Sequence, residues 1–76
     1  MNEEEIIGIL KKDNEEFRKL YQEHRELDGM LAELSKKHYL TTEEEVEEIR
    51  MKKAKLQKKD RIAEMIREYG KAASNK

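Results

Sequence analysis

Seventy-six residues with no cysteine, no proline and three glycines leave room for one domain, and they exclude a disulfide framework, a thiolate zinc site and a cysteine nucleophile. Charged residues make up 46% of the chain and aromatics 5%, the balance of long solvated helices and not of a β-sandwich or an α/β domain. The net charge of −1 conceals a split: residues 1–48 hold 15 acids and 7 bases, net −8, whereas residues 49–76 hold 3 acids and 10 bases, net +7. Segments of opposite sign attract when folded side by side, and the low net charge argues against disorder.

The N-terminus, Met1-Asn2-Glu3-Glu4-Glu5, is acidic and has the character of neither a secretory signal nor a transit peptide. The longest apolar run is Ile6-Ile7-Gly8-Ile9-Leu10, far short of the roughly 20 residues that span a bilayer. These features point to a cytoplasmic protein with no membrane span. The run is apolar round most of a helix and must pack on the open end of a hairpin, a second subunit or a membrane surface.

Alternating steps of four and three residues from Ile6 land on Leu10, Asp13, Phe17, Leu20, His24, Leu27, Leu31, Leu34 and His38, and seven of these ten positions are apolar. Such 3.5-residue spacing marks a coiled-coil seam. Asp13-Asn14-Glu15-Glu16 carries an acidic variant of the capping box, with Asp13 as N-cap. The pattern gives a short helix near 3–11 and a long one near 14–37. A continuous helix stays open, because Asp13 in a helix interior costs roughly a few tenths of a kcal/mol.

Lys36, Lys37 and His38 suit a helix C-terminus, where cations complement the dipole. After a turn at about 38–41, both Thr41-x-x-Glu44 and Thr42-x-x-Glu45 read as capping boxes. The last helix is expected over about 42–69, with Gly70 as its C′ residue and residues 70–76 as a frayed tail. So short a link makes the two long helices antiparallel neighbours. The fold class is therefore all-α: one domain over residues 1–76, an antiparallel two-helix coiled-coil hairpin preceded by a short N-terminal helix if the chain breaks near Asp13.

The expected seam of the last helix is Val46, Ile49, Leu56, Ala63, Ile66 and Tyr69, with Ile62 and Met65 beside it. It matches the first seam when facing residue numbers add to about 83, with a shift of one turn as the alternative. Leu34 then faces Ile49, Leu27 faces Leu56, Leu20 faces Ala63 and Phe17 faces Ile66. The same alignment brings Asp28 to Lys55, and His24 to Lys59 and Asp60.

Phe17-x-x-Leu20-x-x-x-His24-x-x-Leu27-Asp28, followed by Arg50-Met51-Lys52-Lys53-Ala54-Lys55-Leu56-Gln57-Lys58-Lys59-Asp60-Arg61-Ile62, resembles the small bacterial YdcH-like family. The resemblance covers roughly residues 14–68 and rests on two polar motifs at matching spacing. Asn14-Glu15-Glu16 stands where some relatives carry Asn-Pro. The resemblance implies a coiled-coil-like helical fold and no established function.

Candidate chemistry is sparse. His24 and His38 lie fourteen residues apart and lack the further ligands a metal site needs. A register-setting polar pair between His24 and Asp60 is the sharper expectation, since one buried polar pair can fix helix alignment. Lys52, Lys53, Lys55, Lys58, Lys59 and Arg61, with Arg50, form a candidate phosphate-backbone patch. Against that, the bases spread round the helix, no aromatic is interleaved, and Glu23, Glu26, Asp28 and Glu33 are available as partners. Glu43–Glu48 lacks the spacing and glycine of a calcium loop.

No nucleophile–base pair or cofactor motif is present, so an enzyme is not expected. The leading expectation is a helical module acting through protein–protein interaction or self-association, with a second copy or another helical protein as partner. The alternative is an RNA- or DNA-binding accessory protein using residues 50–61. The second arm has a thin apolar seam, so Ile6–Leu10 or another chain is expected to complete the core.

Overall fold

The computed structural model describes residues 2–74 as three helices, α1 (Glu3–Asp13), α2 (Glu15–Ser35) and α3 (Thr42–Ser74). The hairpin of two long helices is thus joined by a separate third helix and residues 3–37 do not form one continuous helix, and the reason lies in Asn14. Its N–H donates to the Leu10 carbonyl at 2.9 Å and closes α1. Its side-chain Oδ1 accepts the Phe17 N–H at 3.0 Å and opens α2. With φ −121° and ψ 111°, Asn14 is extended and breaks the helix. Asp13, expected as the cap, stays in the last turn of α1. Arg18 Nε and Nη2 then donate to the Lys11 and Lys12 carbonyls at 2.8 and 3.1 Å, satisfying groups that a helix end leaves orphaned.

At the other turn, α2 ends at Ser35, two residues earlier than expected. The Lys36 and Lys37 N–H groups donate to the Glu33 and Leu34 carbonyls, a tightening to three-residue steps. Of the two capping boxes in the sequence, the first forms. Glu44 N–H donates to Thr41 Oγ1 at 3.1 Å, and Thr41 N–H donates to Glu44 Oε1 at 3.0 Å. Lys37 also pairs with Glu44, which ties the two ends of the turn together.

Gly70 does not cap α3. No glycine among the described residues has positive φ, and the helix runs through Ala72 and Ala73 to Ser74. Alanine is the best helix former, and α1 packs alongside: a Cβ on Gly70 would lie 3.5 Å from Ile6 Cδ1. The tail expected from residue 70 is thus helical as far as Ser74, and residues 75–76 lie outside the described residues.

The core is Ile6, Leu10, Phe17, Ile62 and Met65, flanked by Ile7, Leu20, Tyr21, Ile66 and Tyr69. All of it lies at the α1 end of a long, narrow molecule of 53 × 19 × 16 Å. Ile6 and Leu10 of α1 cover the open end of the α2–α3 pair. Phe17 is 0% exposed and stacks on Tyr21 with ring centroids 5.9 Å apart.

Helices α2 and α3 run antiparallel. Asp28 pairs with Lys55, Glu23 with Lys58 and Glu16 with Arg61, residue numbers that add to 83, 81 and 77. The alignment meets the expected sum at Asp28 and Lys55 and departs from it toward the α1 end, and the α2 seam of Leu20, His24, Leu27, Leu31 and Leu34 is half-buried as expected. The rotation of α3 does not agree. Facing inward, each buried or half-buried, are Glu44, Glu48, Met51, Lys55, Lys58, Ile62, Met65 and Tyr69. Val46, Ile49 and Leu56 are 45%, 55% and 58% exposed, and Ala63 is exposed too. The expected contacts of Leu34 with Ile49, Leu27 with Leu56 and Leu20 with Ala63 are therefore replaced. The physical reason is that Lys55 and Lys58 lay their aliphatic stems between the helices and pass their ammonium groups to α2 carboxylates at the rim.

Candidate interaction face

The rotation of α3 creates a second face. A helix turns about 100° per residue, so residues two apart point to nearly opposite sides. Val46, Ile49, Lys53, Leu56, Asp60 and Ala63 each stand two residues from a member of the inward seam. They follow one another in alternating steps of three and four, the spacing of a helix-pairing seam. Four of the six are apolar, and all six are exposed.

Charges divide between the two faces. Lys58 lies 3.5 Å from Glu23, and Arg61 lies 3.2 Å from Glu16 and 2.9 Å from Glu64. Lys55 holds Asp28, and its hydrogen bond keeps the Asp28 carboxyl below its ordinary range, with a smaller contribution from its charge. Lys37, and after it the Thr41 N–H, does the same for Glu44. The Glu16 hydrogen bond raises Arg61, which is charged in any case. Lys52 lies 3.7 Å from Glu48 on its own helix. Among the described residues, Glu43, Glu45, Glu47, Arg50, Lys53 and Lys59 form no ion pair. Glu43 and Arg50 border one side of the outward seam, and Glu45 and Lys59 border the other.

Sequence-predicted residues fall as follows. Lys55 and Lys58 point to α2, Lys52 and Arg61 pair with acids, and only Lys53 and Lys59 of the six candidate phosphate contacts stand unpaired. They do not share one stripe with the others. His24 is half-buried on the α2 seam with its Nε2 enclosed and without a hydrogen-bond partner, whereas Asp60 is exposed on the outward seam. The expected pair is absent from the hydrogen bonds and ion pairs of the described residues. Those residues also hold no group of three or more His, Asp or Glu side chains placed to bind a metal ion. No described helix is long and apolar enough to cross a membrane.

Tyr39 is 90% exposed before α3, and Met30 is 48% exposed on α2. The signal for the outward face is present in the spacing from Val46 to Ala63, which hydropathy alone turns to the inside. Beside that face, Leu31, Lys52, Lys55, Leu56 and Lys59 line a shallow groove between α2 and α3.

Residues 17–66 match the family described as "Protein of unknown function (DUF465)". The chain belongs to this family. The match agrees with the YdcH-like motifs, and it takes in most of α2, the turn and both seams of α3 while leaving α1 outside. No curated protein and no solved structure matches the DUF465 chain.

Proposed function

We propose that the chain is a non-enzymatic, cytoplasmic helical module that acts through protein–protein association, with the outward seam of α3 as its working surface. The observation that carries this reading is the exposed seam of Val46, Ile49, Leu56 and Ala63 at coiled-coil spacing. Single exposed apolar residues are ordinary on any surface. A row of them at heptad spacing, bordered by unpaired charges of both signs, is the face of a helix that pairs with another helix. Nucleic-acid binding by residues 50–61 has weaker support, because Lys52, Lys55, Lys58 and Arg61 already pair with carboxylates of the chain itself.

A photo-crosslinking residue placed at Leu56 in the native cell tests the reading, with Glu26 on the exposed side of α2 as control. Protein adducts at Leu56 that are missing at Glu26 support it. No adduct at Leu56, Ile49 or Val46 overturns it. A salt-sensitive mobility shift with RNA or DNA, lost on Lys53→Glu and Lys59→Glu, would favour the alternative.

A further inference from the structure

We infer that the partner of the outward seam is a second copy of this chain, paired antiparallel with its α3 centred between Glu47 and Glu48. This deepens the interaction reading and rests on it. The argument comes from the order of charges along α3. Five acids, Glu43, Glu44, Glu45, Glu47 and Glu48, are followed directly by six bases, Arg50, Lys52, Lys53, Lys55, Lys58 and Lys59. A helix with an acidic block next to a basic block complements itself when turned end for end about a point near their boundary.

The seam fits the same axis. Val46 meets Ile49 of the second copy, and Ile49 meets its Val46. Glu45 then borders Lys52 of the second copy, and Glu43 borders its Arg50, each pair occurring twice by symmetry. Glu43, Glu45 and Arg50 form no ion pair among the described residues. Lys53 comes to the first turn of the second α3, where acids are concentrated. Leu56 comes toward Tyr39 of the second copy, whose ring is 90% exposed in the single chain. The groove lined by Leu31, Leu56 and the stems of Lys52, Lys55 and Lys59 lies beside it.

Other alignments are disfavoured by charge. A parallel pair sets the acidic block on itself and Lys53 against Lys53 in the seam. Full antiparallel overlap, with Val46 against Ala63, sets Lys52 against Lys59. The favoured overlap leaves Asp60 and Ala63 beyond the contact. It spans about four turns, below the roughly 1,200 Å² of a standard interface, so the dimer is weak and sensitive to salt.

The chain has no cysteine, so introduced thiols report cleanly. Val46→Cys and Ile49→Cys proteins, mixed and oxidised gently, should give the mixed 46–49 disulfide in excess over 46–46 and 49–49. Excess of the like pairs, or no disulfide above a Glu26→Cys control, overturns the proposal. Separately, Glu43→Arg and Arg50→Glu should each weaken dimerisation by about tenfold, and the double variant should restore it. Failure of the double variant to recover, with helicity intact by circular dichroism, overturns the alignment. If the chain stays monomeric while Leu56 crosslinks to a different protein, the second copy is the wrong partner and the interaction reading stands. If the chain stays monomeric and Leu56, Ile49 and Val46 all capture nothing, both fall.

Discussion

The Asn14 side chain accepts the Phe17 N–H at 3.0 Å, and Phe17 is the most deeply buried side chain described, at 0% exposure. A cap and a core anchor thus stand three residues apart, so the break between α1 and α2 positions the residue around which all three helices pack. Replacing Asn14 with Ala should cost about 1 kcal/mol, as lost N-caps do, while Gly should cost only a few tenths, roughly. Phe17→Ala should cost about 3–5 kcal/mol, enough to unfold a domain this small. Urea denaturation followed by circular dichroism checks the order Phe17→Ala, Asn14→Ala, Asn14→Gly. A larger loss at Asn14 than at Phe17 would contradict this account of the core.

His24 occupies an apolar seam position with its Nε2 enclosed and unpartnered. An unsatisfied buried polar atom costs about 1–3 kcal/mol, so His24→Leu should raise the unfolding midpoint. Lower stability, or altered association, would instead mean that the imidazole sets the alignment of α2 on α3.

Two carboxylates, the exposed Asp28 and the half-buried Glu44, make the pairing of α3 with α2 and the turn dependent on pH. Asp28 and Glu44 both lie below their ordinary values of 3.8 and 4.5, held there first by hydrogen bonds from Lys55 and Lys37. A lowered value in the folded state favours folding above the ordinary value, and that contribution is lost as pH falls through the lowered one. Stability should therefore decline below about pH 4.5, modestly and less so in high salt. Asp28→Asn with Glu44→Gln should flatten the low-pH limb of a thermal-unfolding series. An unchanged limb would place the acid sensitivity elsewhere.

Gly29 lies inside α2 and is exposed, and a Cβ built there meets nothing within 4 Å. Gly29→Ala should stabilise the protein by about 0.5–1 kcal/mol by restricting the unfolded chain. A destabilised variant in thermal unfolding would show that something approaches that backbone in solution.

Much of this was legible in the sequence, for reasons that also explain the rest. The α2 seam was readable because its apolar residues keep heptad spacing without a rival pattern. The alignment of Asp28 with Lys55 followed from matching two seams and two charge sets. The cap slipped by one residue because Asp13 and Asn14 are both competent, and only packing of Phe17 selects between them. The rotation of α3 was not legible. That helix carries two heptad seams, one apolar through Val46, Ile49 and Leu56, the other mixed through Met51, Lys55, Lys58, Ile62 and Met65. A reading by hydropathy turns the apolar one inward. In the folded chain, lysine stems supply the apolar surface and α2 carboxylates receive the ammonium groups, which frees the apolar seam for the outside.

That the freed seam pairs with a second copy of the chain is the central claim, and sedimentation equilibrium of the full chain tests it most directly. Wild type, Ile49→Glu and a control Met51→Glu on the inward seam should be compared at low and high protein concentration. The account predicts a concentration-dependent dimer for wild type, weakened in high salt. Ile49→Glu should be a folded monomer throughout, and Met51→Glu should lose helicity. Wild type that is monomeric at every concentration, or Ile49→Glu that unfolds while Met51→Glu does not, would contradict it.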